Sequence, residues 1–233
     1  MARTITSLFS FITISAFVSA AAIWFFPPFP AFDEDKNLIP PPTQLKYFNF
    51  GYRETTSDSL WLRVIQDMDA CNEKRDITKG VVEKCNRGWT FQMIDLITDL
   101  TPMFKAPYIF GATNLSVLVE DGPGATAIFE KGLRQFPKDW SLQYRAAFHY
   151  MSEDKNLTRA AELLILAFEN GGPRWLPSLA GKLYTEAGQA FLAKTVLEEQ
   201  LAKMPPDEGM RRRLEERLVE VYARLKKEQE KAH

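Results

Sequence analysis

Histidine and cysteine are scarce in this 233-residue chain: His149, His233, Cys71 and Cys85 are all it has. A structural zinc site gathers four such ligands in one place, so the composition argues against a metal centre, and no cofactor is expected. An excess of charge of either sign is also missing. With 29 basic against 30 acidic side chains the formal net charge is -1, which argues against the basic footprint that neutralises nucleic-acid phosphates. The sequence lacks a phosphate-cradling glycine loop, a zincin motif and a nucleophile elbow; Gly122-Pro123-Gly124 reads as the turn before a helix. His149, between Phe148 and Tyr150, reads as a packed or partner-facing imidazole, and Asp95 and Asp99, one helical turn apart, as solvated or capping carboxylates. Asn114-Leu115-Ser116 and Asn156-Leu157-Thr158 match a glycosylation acceptor, a triplet too common to carry weight. The expectation is a protein without catalytic residues, metal ligands or a small-molecule substrate.

What is present is a globular mixture, 45% apolar and 25% charged, preceded by one long uncharged run. Residues 5–26, ITSLFSFITISAFVSAAAIWFF, would span roughly 30 Å as a helix, the hydrocarbon thickness of a bilayer. A cleaved signal peptide is the competing reading, with Val18-Ser19-Ala20 as cleavage site, but the run continues past it. Residues 1–26 are therefore expected to be a transmembrane anchor or uncleaved signal that contacts the lipid bilayer. Arg3 before the run and Asp33-Glu34-Asp35 after it place the N-terminus in the cytoplasm. The expected location is a bacterial inner membrane, single-pass, with the C-terminal domain in the periplasm; signal cleavage would make it periplasmic. Residues 27–50 read as a linker, because six of the 14 prolines fall in residues 27–42 and disfavour helix and sheet ladders.

Beyond residue 50 the apolar period is helical. Leu60, Trp61, Val64, Ile65 and Met68 recur at three and four, as do Phe91, Ile94, Ile97 and Leu100. The period predicts further helices over 106–119, 126–136, 140–151, 160–168, 175–186 and 191–204, punctuated by Pro102, Pro137, Pro173 and Pro205 at intervals of 35, 36 and 32 residues. One frame repeats: a small residue, a large one four later, and a proline twelve after the first. It reads Ala125, Phe129, Pro137, then Ala161, Ile165, Pro173, then Ala193, Leu197, Pro205. Preceding helices carry Tyr108, Gly111-Ala112 and Leu115; Gln143, Ala146-Ala147 and Tyr150; Pro177, Ala180-Gly181 and Tyr184. Helix axes approach closely only where side chains are small, so Ala112 should face Ala125, Ala147 face Ala161, and Gly181 face Ala193.

This pattern resembles the tetratricopeptide repeat superfamily. The resemblance implies an all-α, right-handed solenoid of antiparallel helix pairs over residues 51–206. An earlier, atypical unit would span 51–102, with Thr90, Ile94 and Pro102 keeping the frame. Residues 207–233, with Met210, Leu214, Leu218, Val221, Tyr222 and Leu225 on one stripe, read as a C-terminal capping helix. Cys71 and Cys85 bracket a long insertion; in an exported domain they would form a disulfide closing a loop of about 15 residues, worth roughly 3 kcal/mol, and in a cytosolic one they would be free thiols.

The resemblance also implies that first helices line a concave groove for a protein or peptide partner. Helical phase nominates Ile109, Thr113 and Ser116; Tyr144, Phe148 and Met151; Ser178, Lys182 and Thr185. The lysine and asparagine arrangement with which some family members hold a C-terminal carboxylate is absent from this set. The expected function is a membrane-anchored scaffold at the cell envelope; the alternatives are a periplasmic or secreted chaperone for an exported apolar subunit, and an accessory subunit of a membrane enzyme complex.

Overall fold

The structure, a computed structural model, describes residues 14–19, 42–73, 88–203 and 208–232. The chain divides into two units, 1–39 and 40–233. In the first, the described residues are 14–19, a short exposed helical stretch. The expected bilayer span is corrected here. Among the described residues no helix is long and apolar enough to cross a membrane, which conflicts with the expected N-terminal transmembrane helix and single-pass inner-membrane location. The rest of residues 5–26, Cys85 and the Cys71 side chain lie outside the described residues, and the disulfide expectation with them.

The second unit is helical, without strand among its described residues. After a 3-10 turn at Thr43–Lys46 come α1 (Arg53–Glu73), α2 (Trp89–Leu100), a π-helical segment (Pro107–Gly111) running into α3 (Ala112–Val117), α4 (Gly122–Gln135), α5 (Trp140–Ser152), α6 (Leu157–Glu169), α7 (Leu176–Glu186), α8 (Ala190–Lys203) and α9 (Glu208–Ala232). Several helices begin earlier than their apolar period, because capping residues rather than apolar ones start them. Asp121 accepts from the Gly124 amide, Asp139 from Leu142 and Asn156 from Arg159, each satisfying an amide that the first turn leaves unpaired. Four helices close through a left-handed residue. Glu120 and Lys155 sit at φ near 58° and 55°, Gly171 and Gly188 at 93° and 77°. The following amides return to Leu115 and Tyr150, six residues back, and to Ala167 and Tyr184, five back, at 2.8–2.9 Å.

Each helix packs on the next in sequence, and the further substantial contacts reach mainly the helix after that: α2 with α4, α3 with α5, α7 with α9. The small residues of the frame, Ala112, Ala125, Ala147, Ala161, Gly181 and Ala193, are all buried. Large residues are seated on glycines. A Cβ on Gly181 would come within 2.8 Å of Leu197, one on Gly111 within 3.0 Å of Ile94, and one on Gly132 within 3.0 Å of Tyr108. Each fully buried Leu, Ile or Phe contributes about 1.5–3 kcal/mol by leaving water, and the glycine seats let those side chains in without splaying the axes.

Polar side chains stitch successive helices. Lys131 on α4 reaches Asp95 and Asp99 on α2 at 2.8 and 2.6 Å, and Lys46 reaches Asp99 at 2.7 Å. These are the two acids that the sequence leaves as solvated or capping; their lysine partners lie 32 or more positions away. Glu130 on α4 accepts from the Tyr150 hydroxyl on α5 at 2.8 Å and from Arg159 on α6 at 3.0 Å. Buried Gln143 donates to the Pro137 carbonyl at 2.6 Å and accepts from Asn170 at 3.2 Å.

Candidate functional site

Helix α5 has two faces. Its inner face buries Leu142, Gln143, Ala146, Ala147, His149 and Tyr150. Its outer face, at the same three-and-four spacing, presents Tyr144, Arg145, Phe148 and Met151. Phe148 is 51% exposed, although burial of a phenylalanine is favourable by some kcal/mol. The neighbouring elements add to this face. The Tyr144 ring meets Trp175, at the entry to α7, edge-on at 5.8 Å, and the Arg145 guanidinium lies 5.5 Å from the centre of the Phe110 ring, 53% exposed on the π-helical segment. Aromatic side chains from α5, the π-helical segment and the start of α7 therefore share one accessible surface.

Behind it lies a polar contact that the phase argument misses. His149 is 2% exposed, and both its ring nitrogens are bound: Nδ1 to Ser116 Oγ on α3 and Nε2 to Thr126 Oγ1 on α4, each at 2.8 Å. The Thr126 hydroxyl also lies 3.1 Å from the Gly122 carbonyl and 3.3 Å from the Asp154 carboxylate, and which ring nitrogen donates and which accepts follows from the tautomer. Burial lowers the histidine pKa, and the nearby Asp154 and Glu153 carboxylates offset that only in part. The ring also packs 5.4 Å from Phe129. This is a core histidine that holds α3, α4 and α5 together.

The expected groove residues fare unequally. Ile109 and Ser116 are corrections: at 9% and 4% exposure they point inward and cannot meet a partner. Thr113 is half-buried, its hydroxyl donating to the Ile109 carbonyl at 2.6 Å. The outward residues of this stretch are instead Phe110 and Val117, one position further along. The reason is the π-helical segment. Its wider turn takes an extra residue, so a phase counted in α-helical turns falls one residue short. Tyr144, Phe148 and Met151 are where the period places them, exposed or half-buried on α5. Ser178 and Thr185 are half-buried and Lys182 exposed on α7. Thr185 donates to its own helix at Gly181 and Lys182 lies 3.6 Å from Glu186, so these side chains are engaged locally. The ring contact between α5 and the start of α7 runs through Trp175, a residue the phase argument does not nominate.

Apart from this surface, an open cleft of about 400 Å³ lies between the start of α1 and the turn after α2. Arg53, Glu54, Asp58, Pro102, Met103 and Phe104 are among its walls. Its charges are mixed. No protein-family model matches the chain, and no curated protein matches its sequence.

Proposed function

We propose that residues 51–206 form a solenoid of antiparallel helix pairs similar to tetratricopeptide repeats, capped by α9, that binds a segment of another protein along its first helices α3, α5 and α7. The frame residues support the pairing: the small side chains at fixed intervals are buried, and helices contact mainly their first and second neighbours in sequence. The observation that carries the binding reading is the pair of half-exposed phenylalanines, Phe110 and Phe148, on one surface with Tyr144 and Trp175. Buried aromatic anchors commonly dominate the energy of such interfaces, and a partner helix or extended segment laid on them would remove that apolar area from water. The activity is binding; the protein acts by bringing its partner into place.

A photo-crosslinking amino acid in place of Phe148 in the full chain, compared with one in place of exposed Phe191 on α8, tests this in the native host. Crosslinking to a discrete protein from position 148 and not from 191 is expected. Equal labelling from both positions, or none from 148, would remove the binding surface. Tyr144→Ala with Phe148→Ala should abolish the crosslink from a probe placed at Met151 while leaving the helical circular dichroism unchanged, because both side chains are on the outer face.

A further inference from the structure

Of the cations on the outer faces of α5 and α7, Arg145 and Lys182 differ in how they are satisfied. Lys182 already has Glu186 at 3.6 Å. Arg145 has no carboxylate partner among the described residues; what it has is the Phe110 ring beneath its guanidinium. A guanidinium over a ring is partly stripped of water on that face and held flat by the cation-π contact, while its N–H edge stays free. That edge presents parallel donors in the geometry a carboxylate accepts bidentately. On the same outer face of α5, one turn of helix from Arg145, stands Phe148.

We infer that the surface takes a peptide segment bearing a large apolar side chain and, within a residue or two of it, an internal aspartate or glutamate whose carboxylate closes on Arg145. This rests on the binding reading proposed above and goes further by giving the partner a chemistry. Charge complementarity is the ground for it: the apolar patch alone would accept any greasy segment, whereas a stacked arginine without a counter-ion discriminates for acid and against base at that place. The apolar contact supplies most of the affinity, and the ion pair, sheltered on one side by Phe110, supplies the register.

A random dodecapeptide phage library panned against the full chain tests both layers separately. Three immobilised forms are compared: the unaltered protein, Arg145→Gln, and Tyr144→Ala combined with Phe148→Ala, each first shown to have the same thermal unfolding midpoint. The expected result is enrichment, on the unaltered protein, of peptides pairing an aromatic or large aliphatic residue with Asp or Glu; loss of the acidic preference but not the apolar one on Arg145→Gln; and no enrichment on the double variant. A synthetic pair made from an enriched peptide, differing only as Glu and Gln, should differ about tenfold in fluorescence-anisotropy affinity on the unaltered protein and by less than twofold on Arg145→Gln. Apolar peptides enriched without acid, or an acidic preference that survives Arg145→Gln, would overturn the role of Arg145 and leave the binding surface standing. Enrichment that is absent throughout, or unchanged on the double variant, would overturn the surface itself.

Discussion

Helices α2 and α8 carry the small and large positions of the same frame, Thr90 and Ile94 in one and Ala193 and Leu197 in the other, and bury them in different surroundings. In α2 eight of 12 residues are buried, because α1, the 3-10 turn, the π-helical segment and α4 all lie against it. In α8 four of 14 are buried, covered among the described residues mainly by α7 and α9. What they share is the seat: Ile94 rests on Gly111 of the segment that follows, and Leu197 on Gly181 of the helix before. The frame therefore specifies a local fit, a large side chain in a notch with no Cβ. How much surface surrounds that fit depends on which elements lie against the helix.

The largest effects should come from emptying the two seats. Ile94→Ala and Leu197→Ala should each cost about 2–5 kcal/mol, with Ile94→Ala the greater, since a helix enclosed on several sides collapses less readily into the cavity. Urea unfolding of both variants checks the order; equal losses, or the reverse order, would break the comparison. Next come the notches. Gly181→Ala places a Cβ nearer its neighbour than Gly111→Ala does, 2.8 against 3.0 Å. Overpacking of this kind costs about 1–3 kcal/mol, offset by roughly 1 kcal/mol of helix propensity gained on losing glycine. Gly181→Ala should thus destabilise more than Gly111→Ala, and Leu197→Val should relieve it, a coupling that a double-mutant cycle measures directly.

Electrostatics should separate the two helices more weakly. Asp99 on α2 is pushed up by burial, but hydrogen bonds from Lys131 and Lys46 outweigh this and hold its carboxyl below the ordinary 3.8. A depressed folded value contributes stability that is present above 3.8 and is lost as pH falls through the folded value. Asp99→Asn should cost about 0.5–1 kcal/mol at neutral pH, the scale of a partly exposed ion pair, and should flatten the acid limb of the stability profile. The smallest effect belongs to the junction between them. The His149 pKa, lowered by burial from 6.5, gives stability that is full above 6.5 and declines as pH falls through the folded value. His149→Gln should remove that decline between neutral and mildly acidic pH, read as the change in urea midpoint across the window; an unchanged slope would mean the ring is not held neutral.

The frame was readable because it is local. Periods of three and four, capping acids and prolines lie within one or two turns of each other, and the expected helices 140–151, 175–186 and 191–204 differ from α5, α7 and α8 by a residue or so at their ends. Tyr144, Phe148 and Met151 follow from the same regularity. Ile109 and Ser116 failed because a phase can be counted only while the turn keeps one width, and the π-helical segment changes it. Arg145 over Phe110 and His149 between two hydroxyls were out of reach for a different reason: their partners stand 23 to 35 positions away, on other helices.

From the sequence alone came the helical class, the places where helices stop, and which small side chains would be enclosed, since each of these follows from steric and hydrogen-bonding preferences acting along a few consecutive residues. Tertiary packing alone decided which aromatics remain in water, which acids take lysines, and which histidine is closed off, because those outcomes depend on surfaces that exist only once distant helices meet.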